Sequence, residues 1–323
     1  MITYTMADAD GVRNLDQPEK QCWIHLVNPS DSEVAQISEL TGVPDLMLKS
    51  ALDEEESAHI DREDDNLLVV VDVPSVEEEN DNFVYTTMPM GFVLSPDYTV
   101  TISLRETTLL TDFMNQRVKG FSTRNPLRFL LQVLYRNATK FLQHLRQIDR
   151  SSHRLQAELH RSMKNKELIL LLELEKSLVY FSTSLRANKV VIEKISRFES
   201  IKSDSDERDL LDDLVIENEQ AIEMCNIYRD ILSGTMDAFA SIISNNVNLV
   251  MKILTVITII LTIPSLIAAL WGMNVPVPFG DNPLGFVIVI GITLVITVPV
   301  AWLLIRLTNR LRSNPPRERK RKD

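Results

Sequence analysis

Residues 249–274 read LVMKILTVITIILTIPSLIAALWGMN. From Leu249 to Leu270 the only charge is Lys252, and as a helix this run is one bilayer long, since about 20 apolar residues cross the hydrocarbon. A second run, Leu284 to Ile305, is its match. Between them Trp271 to Pro283 is short and rich in Pro and Gly. The pattern predicts a two-pass membrane hairpin whose tip carries Trp271-Gly272-Met273-Asn274, with the rest of the chain attached to it.

The 248 residues before the hairpin contain no comparable run. Ile169 to Leu172 is followed by Glu173 and Glu175 and reads as the buried face of a soluble helix. The opening Met1 to Met6 lacks the basic-then-apolar order of a signal peptide, so the large N-terminal part is expected in the cytosol. Charge divides unevenly. Of 34 Lys and Arg, 9 lie from position 251 on, against 3 of the 45 Asp and Glu, so residues 1–250 carry a net −17. An acidic domain beside a membrane argues against nucleic acid and anionic lipid as its partners and suits cations, although acidity also serves plain solubility. Cys22 and Cys225 have no CxxC spacing, and the five histidines form no HExxH; His153 and His160 read as a solvated helix face. There is no P-loop, nucleophile elbow or dinucleotide-binding glycine pattern, so no enzyme is expected.

Residues 1–124 mix strand and helix signals and read as an α/β module. Cys22–Val27, Asn66–Val73, Phe83–Leu94 and Tyr98–Leu104 are expected strands, and Asp31–Leu40 and Pro44–Leu52 expected helices. Glu77-Glu78-Glu79-Asn80-Asp81 reads as an acidic turn between strands. Asn125-Pro126 is a helix start, and helical spacing continues to about Met163; after a break at Lys164-Asn165-Lys166 a second helix runs from about Glu167 to Phe198. Residues 125–202 are thus an antiparallel pair. Ser203-Asp204-Ser205-Asp206-Glu207 opens a third helix, acidic where the helix dipole favours it. Only Gly234 and Pro264 interrupt its pattern before Leu270, so residues 203–270 are expected to form one stalk helix that ends as the first span. The outer loop is 271–283, the second span 284–305 and a tail 306–323. That tail holds Arg306, Arg310, Arg312, Arg317, Arg319, Lys320, Arg321 and Lys322, while the loop's sole charge is Asp281. Positive-inside reasoning puts both termini in the cytosol and the tip outside, with Trp271 and Phe279 at one interface and Trp302 near the other. A basic tail directly after a span fits lipid headgroups better than nucleic acid.

The first span has one polar face. Asp237, Ser241, Ser244, Asn248, Met251, Thr255, Thr258, Thr262 and Ser265 follow at steps of three or four, and Lys252 is the exception. Such a stripe reads as a water-lined pore, with helix–helix hydrogen bonding as the bland alternative. One helix encloses nothing, so several copies must form a ring; the second span, with Thr293 and Thr297, would sit outside. The stripe offers neutral oxygens and no carboxylate within the membrane. That suits an ion that keeps its water, as Mg²⁺ does. Asn274 would add amide oxygens at the tip, where Gly272 allows close approach, and Met251 and Leu254 would form an apolar constriction that closes by dewetting.

Gly272-Met273-Asn274 after the first of two C-terminal spans resembles the signature of the CorA family of divalent-cation channels. Arg229-Asp230-Ile231-Leu232-Ser233-Gly234, Asp237 and Asn248-Leu249-Val250-Met251-Lys252-Ile253-Leu254 stand at the family's distances from that motif, and Pro264 is within about a residue of a family proline. The resemblance is sharp over 229–274 and architectural before it. It implies a homopentamer with a cytosolic α/β/α funnel, a long stalk helix and two C-terminal transmembrane helices in the cell (inner) membrane, passing Mg²⁺, and also Co²⁺ or Ni²⁺, with no organic cofactor. The membrane potential would supply ~2.3 kcal/mol per charge per 100 mV, doubled for a divalent ion. It implies Gly272, Met273 and Asn274 as the selective mouth; Asn248, Met251 and Leu254 as the gate; Asp237 as a lower ring; and Ser244, Thr255, Thr258, Thr262 and Ser265 as pore lining. Regulatory Mg²⁺ between subunits would hold the channel closed, with Asp213 as one ligand and its partner near Glu77 or Glu78. Trp271 departs from the family's usual Tyr, and the outer loop is poor in acid. Two alternatives are a zinc transporter of the related ZntB branch, with proton coupling as its driving force, against which Met273 speaks, and a membrane-anchored scaffold or sensor, for which a small-residue stripe would be expected instead.

Overall fold

The computed structural model describes residues 1–8, 11–79, 82–162, 165–199, 201, 204–275, 277–278 and 283–313. Ser203, Asn80, Asp81, Pro276, Phe279, Gly280 and Asp281, and the tail's Arg317, Arg319, Lys320, Arg321 and Lys322, lie outside the described residues. The chain forms two compact units, Met1–Met236 and Asp237–Asp323.

The first unit is built on a mixed seven-stranded sheet in the order β2-β1-β3-β7-β6-β5-β4. Its strands are β1 (Ile2–Asp8), β2 (Gly11–Leu15), β3 (Trp23–Val27), β4 (His59–Glu63), β5 (Asn66–Glu79), β6 (Asn82–Leu94) and β7 (Thr99–Ser103). All neighbours are antiparallel except the central pair β3 and β7, where Trp23 lies opposite Thr99 and Val27 opposite Ser103. Side chains alternate across a strand, so one sheet feeds two cores. Trp23, Val69, Val71, Val73, Met90 and Phe92 pack on one face with helices α3 (Thr108–Met114), α4 (Pro126–Ser162) and α5 (Asn165–Ile195). Ile24, Leu26, Leu68, Val70, Val93, Val100 and Ile102 pack on the other with α1 (Asp31–Thr41) and α2 (Asp45–Ser50). The result is an α/β/α layer arrangement, as the sequence led us to expect.

Polar groups in these cores are arranged rather than merely tolerated. The Trp23 indole N–H, a donor only, gives its proton to Thr101 Oγ1 at 2.7 Å. His25 Nδ1 shares a hydrogen bond with the same Thr101 hydroxyl at 2.9 Å. Burial pushes the His25 imidazole down to about 4. Asn137 and Asn188, from α4 and α5, both donate to the Asp72 carbonyl at 2.8 Å, and Asn188 accepts the Asp72 amide at 2.9 Å. These bonds fix β5 against both helices.

The helix starts follow their capping chemistry. Asn125 accepts the Arg128 amide at 3.1 Å at the start of α4. Asp204 accepts the amides of Asp206 and Glu207 at 2.9 and 3.3 Å at the start of α6 (Ser205–Trp271). Asn125 Nδ2 also donates to Glu207 Oε1 at 2.9 Å, joining the two starts. Helices α4 and α5 are antiparallel: the Phe141 and Phe181 rings lie 5.0 Å apart, and Leu155 shares a cleft with Leu170 and Leu174. Helix α6 returns along α5, with Cys225 Sγ donating to Leu178 O at 3.2 Å and Lys189 paired to Glu219 at 3.1 Å.

Several sequence expectations need correction. The acidic run Glu77–Glu79 is not a turn but the end of β5, where Glu77 pairs with Val84 and Glu78 with Phe83. Glutamate lacks β propensity, but the long β5–β6 ladder carries the strand past the core. β1, β2, β4 and α3 were not anticipated: β4 is a polar edge strand, and β2 has two exposed residues in five. Helix α6 is the single long helix that was expected, unbroken through Gly234 and Pro264. The second span is part of a longer helix, α7 (Gly285–Ser313), which also contains Pro299.

Candidate functional site

In the second unit, α6 and α7 are long and apolar enough to cross a membrane, and none of their apolar windows is buried within the chain. Asp237, Ser244, Asn248, Met251, Leu254, Thr255, Thr258, Thr262 and Ser265 are all exposed on a single chain. A groove of about 880 Å³ lies between the two helices, lined by Pro264, Ala268 and Trp271 of α6, by Gly272 just past its end, and on α7 by residues such as Phe286, Val289 and Thr297. Thr262 and Ser265 do not line it. The polar stripe therefore lies on a face of α6 other than the one that meets α7.

The four hydroxyls of the stripe from Thr255 to Ser265 share one geometry. Thr255 donates to Met251 O at 2.8 Å, Thr258 to Leu254 O at 2.8 Å, Thr262 to Thr258 O at 2.7 Å and Ser265 to Leu261 O at 2.9 Å. Each hydroxyl proton is committed to its own helix, and what the oxygen presents outward is its lone pairs. The stripe is thus a ladder of acceptors. Thr293 and Thr308 on α7 bond the same way, to Val289 O and Leu304 O at 2.8 Å. Met251 and Leu254, just before the ladder, are bulky apolar groups, both 56% exposed.

At the tip, the Gly272 amide makes the last helical bond, to Ala268 O at 2.9 Å. A Cβ at Gly272 would stand 3.3 Å from that same carbonyl and 3.7 Å from Ala269 O. Glycine keeps the final turn's carbonyls uncrowded as the chain leaves the helix. The Trp271 indole N–H donates to Pro278 O at 3.1 Å, a loop-closing bond that the sequence did not suggest. Met273 and Asn274 are exposed. On α7 the Arg306 guanidinium stacks 4.9 Å from the Trp302 ring, a cation–π pair between an interfacial aromatic and a basic residue.

The expected regulatory acids lie in the first unit. Asp213 is exposed on α6. Glu77 and Glu78 are exposed and, as successive residues of β5, point to opposite faces of the strand, so they are not interchangeable. Glu77 is paired with Arg105, which also bonds Glu54 at 3.2 Å. Arg105 went unnoticed in the sequence because its partners are 28 and 51 positions away. Among the described residues no group of three or more His, Cys, Asp or Glu is placed to hold a metal.

A sequence profile of the family described as "CorA-like Mg2+ transporter protein" matches residues 18–306. The cobalt/magnesium transport protein CorA of Methanocaldococcus jannaschii is 28% identical over 298 residues, 88% of this chain and 90% of that protein. The complete structure of the CorA magnesium transporter of the same organism superposes with a TM-score of 0.80 at 24% identity, over 94% of this chain and 96% of that one. The ZntB cytoplasmic domain of Vibrio parahaemolyticus shares the fold more loosely, with a TM-score of 0.57 at 13% identity over 76% of this chain and 97% of that one. The profile, covering both the sheet domain and the two apolar helices, shows that the chain is an integral membrane protein of the CorA family of Mg²⁺ transporters.

Proposed function

We propose that the chain is a homopentameric channel passing hydrated Mg²⁺, and also Co²⁺ or Ni²⁺, across the cell membrane along the stripe of α6. The observation that carries this reading is the ladder of back-bonded hydroxyls from Thr255 to Ser265. The inner water shell of a divalent cation turns its hydrogens outward, so the wall it meets must accept hydrogen bonds. A wall of acceptors with no carboxylate binds that shell without stripping it, in keeping with the reluctance of Mg²⁺ to dehydrate. Several copies are required because one helix presents only one wall.

In this reading Gly272, Met273 and Asn274 form the outer mouth. Asn248, Met251 and Leu254 form the gate, with Asp237 as a ring below it. Both termini lie in the cytosol. Asp213 of one copy and Glu77 or Glu78 of the next hold regulatory Mg²⁺ that keeps the channel closed. The domain division is a sheet domain (1–124), a helical pair (125–202), a stalk continuing as the first span (203–270), an outer loop (271–283), the second span (284–305) and a basic tail (306–323). The testing experiment is uptake into liposomes with Mg²⁺, Co²⁺, Ni²⁺ and Zn²⁺ compared side by side. Uptake of Mg²⁺ and Co²⁺ is expected; uptake of Zn²⁺ with none of Mg²⁺ would overturn the assignment.

A further inference from the structure

Arg105 draws together three separate segments of the first unit. It follows β7, and the Ser103 hydroxyl donates to its carbonyl at 2.9 Å, which fixes its backbone. One arm of its guanidinium bonds Glu77 on β5; the other bonds Glu54, in the segment between α2 and β4, at 3.2 Å. The three side chains line a cavity of about 230 Å³ with Thr86, Thr87 and Tyr180. All three charged groups are partly open to water, with side-chain exposures of 49, 69 and 47% for Arg105, Glu54 and Glu77. Ions can therefore exchange with the pair directly.

The geometry points to Arg105 as a tethered competitor for the regulatory divalent ion: its guanidinium occupies Glu77, and ligation of Mg²⁺ by Glu77 requires that pair to break. The inference rests on the reading of Glu77 as a regulatory ligand and adds what sets the threshold of that site. A guanidinium and Mg²⁺ seek the same carboxylate oxygens, but the guanidinium is tied to the chain and its concentration never changes. It offers its donors in a planar fork, which a lysine ammonium cannot copy. Glu54 holds the fork in place while Glu77 is occupied. When Mg²⁺ takes Glu77, the freed Arg105 keeps Glu54 as its partner, so release leaves no unpaired cation. The device raises the Mg²⁺ concentration needed for closure. The increase is modest because exposed ion pairs are weak, about 2- to 5-fold.

The test uses the full chain and the Mg²⁺ concentration that gives half-maximal protection from a protease. R105Q is expected to lower that concentration about 2- to 5-fold, R105K by less, and E77Q to raise it. The R105Q/E77Q double variant is expected to match E77Q, because Arg105 acts only through Glu77. R117Q removes an exposed arginine paired with Asp112 instead and controls for net charge. If E77Q shifts the titration and R105Q does not, Arg105 is no competitor and the reading of Glu77 survives. If E77Q changes nothing, the reading of Glu77 fails and the competitor fails with it. An equal shift in R117Q and R105Q would also overturn the proposal, as a general charge effect.

Discussion

Replacing Thr258 with valine separates the acceptor ladder from helix packing. The two side chains have nearly the same shape, and both are β-branched. The hydroxyl donates to Leu254 O at 2.8 Å, and in a helix that carbonyl keeps the amide of residue 258 as its donor. The cost to the fold is therefore small, well under about 1 kcal/mol. The loss to a passing ion is larger. Every copy in the ring loses one outward-facing lone-pair site, and a neutral hydrogen bond contributes about 0.5–1.5 kcal/mol net. With two or three of these sites in use as a hydrated ion passes, the barrier rises by about 1–4 kcal/mol, which slows conduction roughly five- to a thousand-fold. Thr258→Ser restores the oxygen and is expected to restore flux. Thr293→Val, which deletes a hydroxyl bonded in the same way on α7, is expected to leave flux unchanged. The assay is Mg²⁺ uptake into liposomes at equal protein density, with the oligomer checked by gel filtration. Wild-type flux in Thr258→Val, or an equal loss in Thr293→Val, would refute the acceptor argument.

Asn274→Ala should abolish Mg²⁺ uptake while the oligomer still assembles; normal flux would remove Asn274 from the mouth. Met251→Asp or Leu254→Asp should hydrate the apolar constriction and give a basal leak, read as conductance in the presence of closing Mg²⁺; an unchanged conductance would place the gate elsewhere. Asp213→Ala should weaken Mg²⁺-dependent closure, and intact Mg²⁺ protection from protease would exclude Asp213 from the regulatory site. His25 contributes a pH dependence to the stability of the first unit. Its folded value, about 4, lies below the unfolded value near 6.5, so the unfolded chain binds the proton first and stability falls as pH drops through that window. The full loss is about 3 kcal/mol, and His25→Gln should flatten the acid limb of the unfolding midpoint between pH 6.5 and pH 4.

What the sequence made legible follows from which forces act locally. The apolar runs, the Asn125-Pro126 start and the acidic start of α6 are patterns within a few residues, and each stands where it was expected. The stripe from Asn248 to Ser265 was visible because helical spacing alone puts those oxygens in line. Polar β4 and short β2 were missed because their pairing comes from neighbours, β5 and β1, and not from their own composition. Glu77 and Glu78 looked like equivalent members of an acidic turn until the β5–β6 register set them on opposite faces. Arg105 is illegible in one dimension: nothing near it in sequence names Glu54 or Glu77, and only the sheet brings them together. The direction of the Thr hydroxyls was equally hidden, since spacing puts oxygens in line but does not say which way their protons point.

The most direct test of a hydrated divalent cation moving passively along α6 is Mg²⁺ influx into liposomes holding the purified full chain, with equal pH on both sides and a K⁺ diffusion potential set negative inside. The account predicts influx that needs no proton gradient and grows steeply as the interior is made more negative, since each divalent ion gains about 4.6 kcal/mol per 100 mV. Influx that is indifferent to the potential, or that starts only when a pH gradient is imposed, would contradict it.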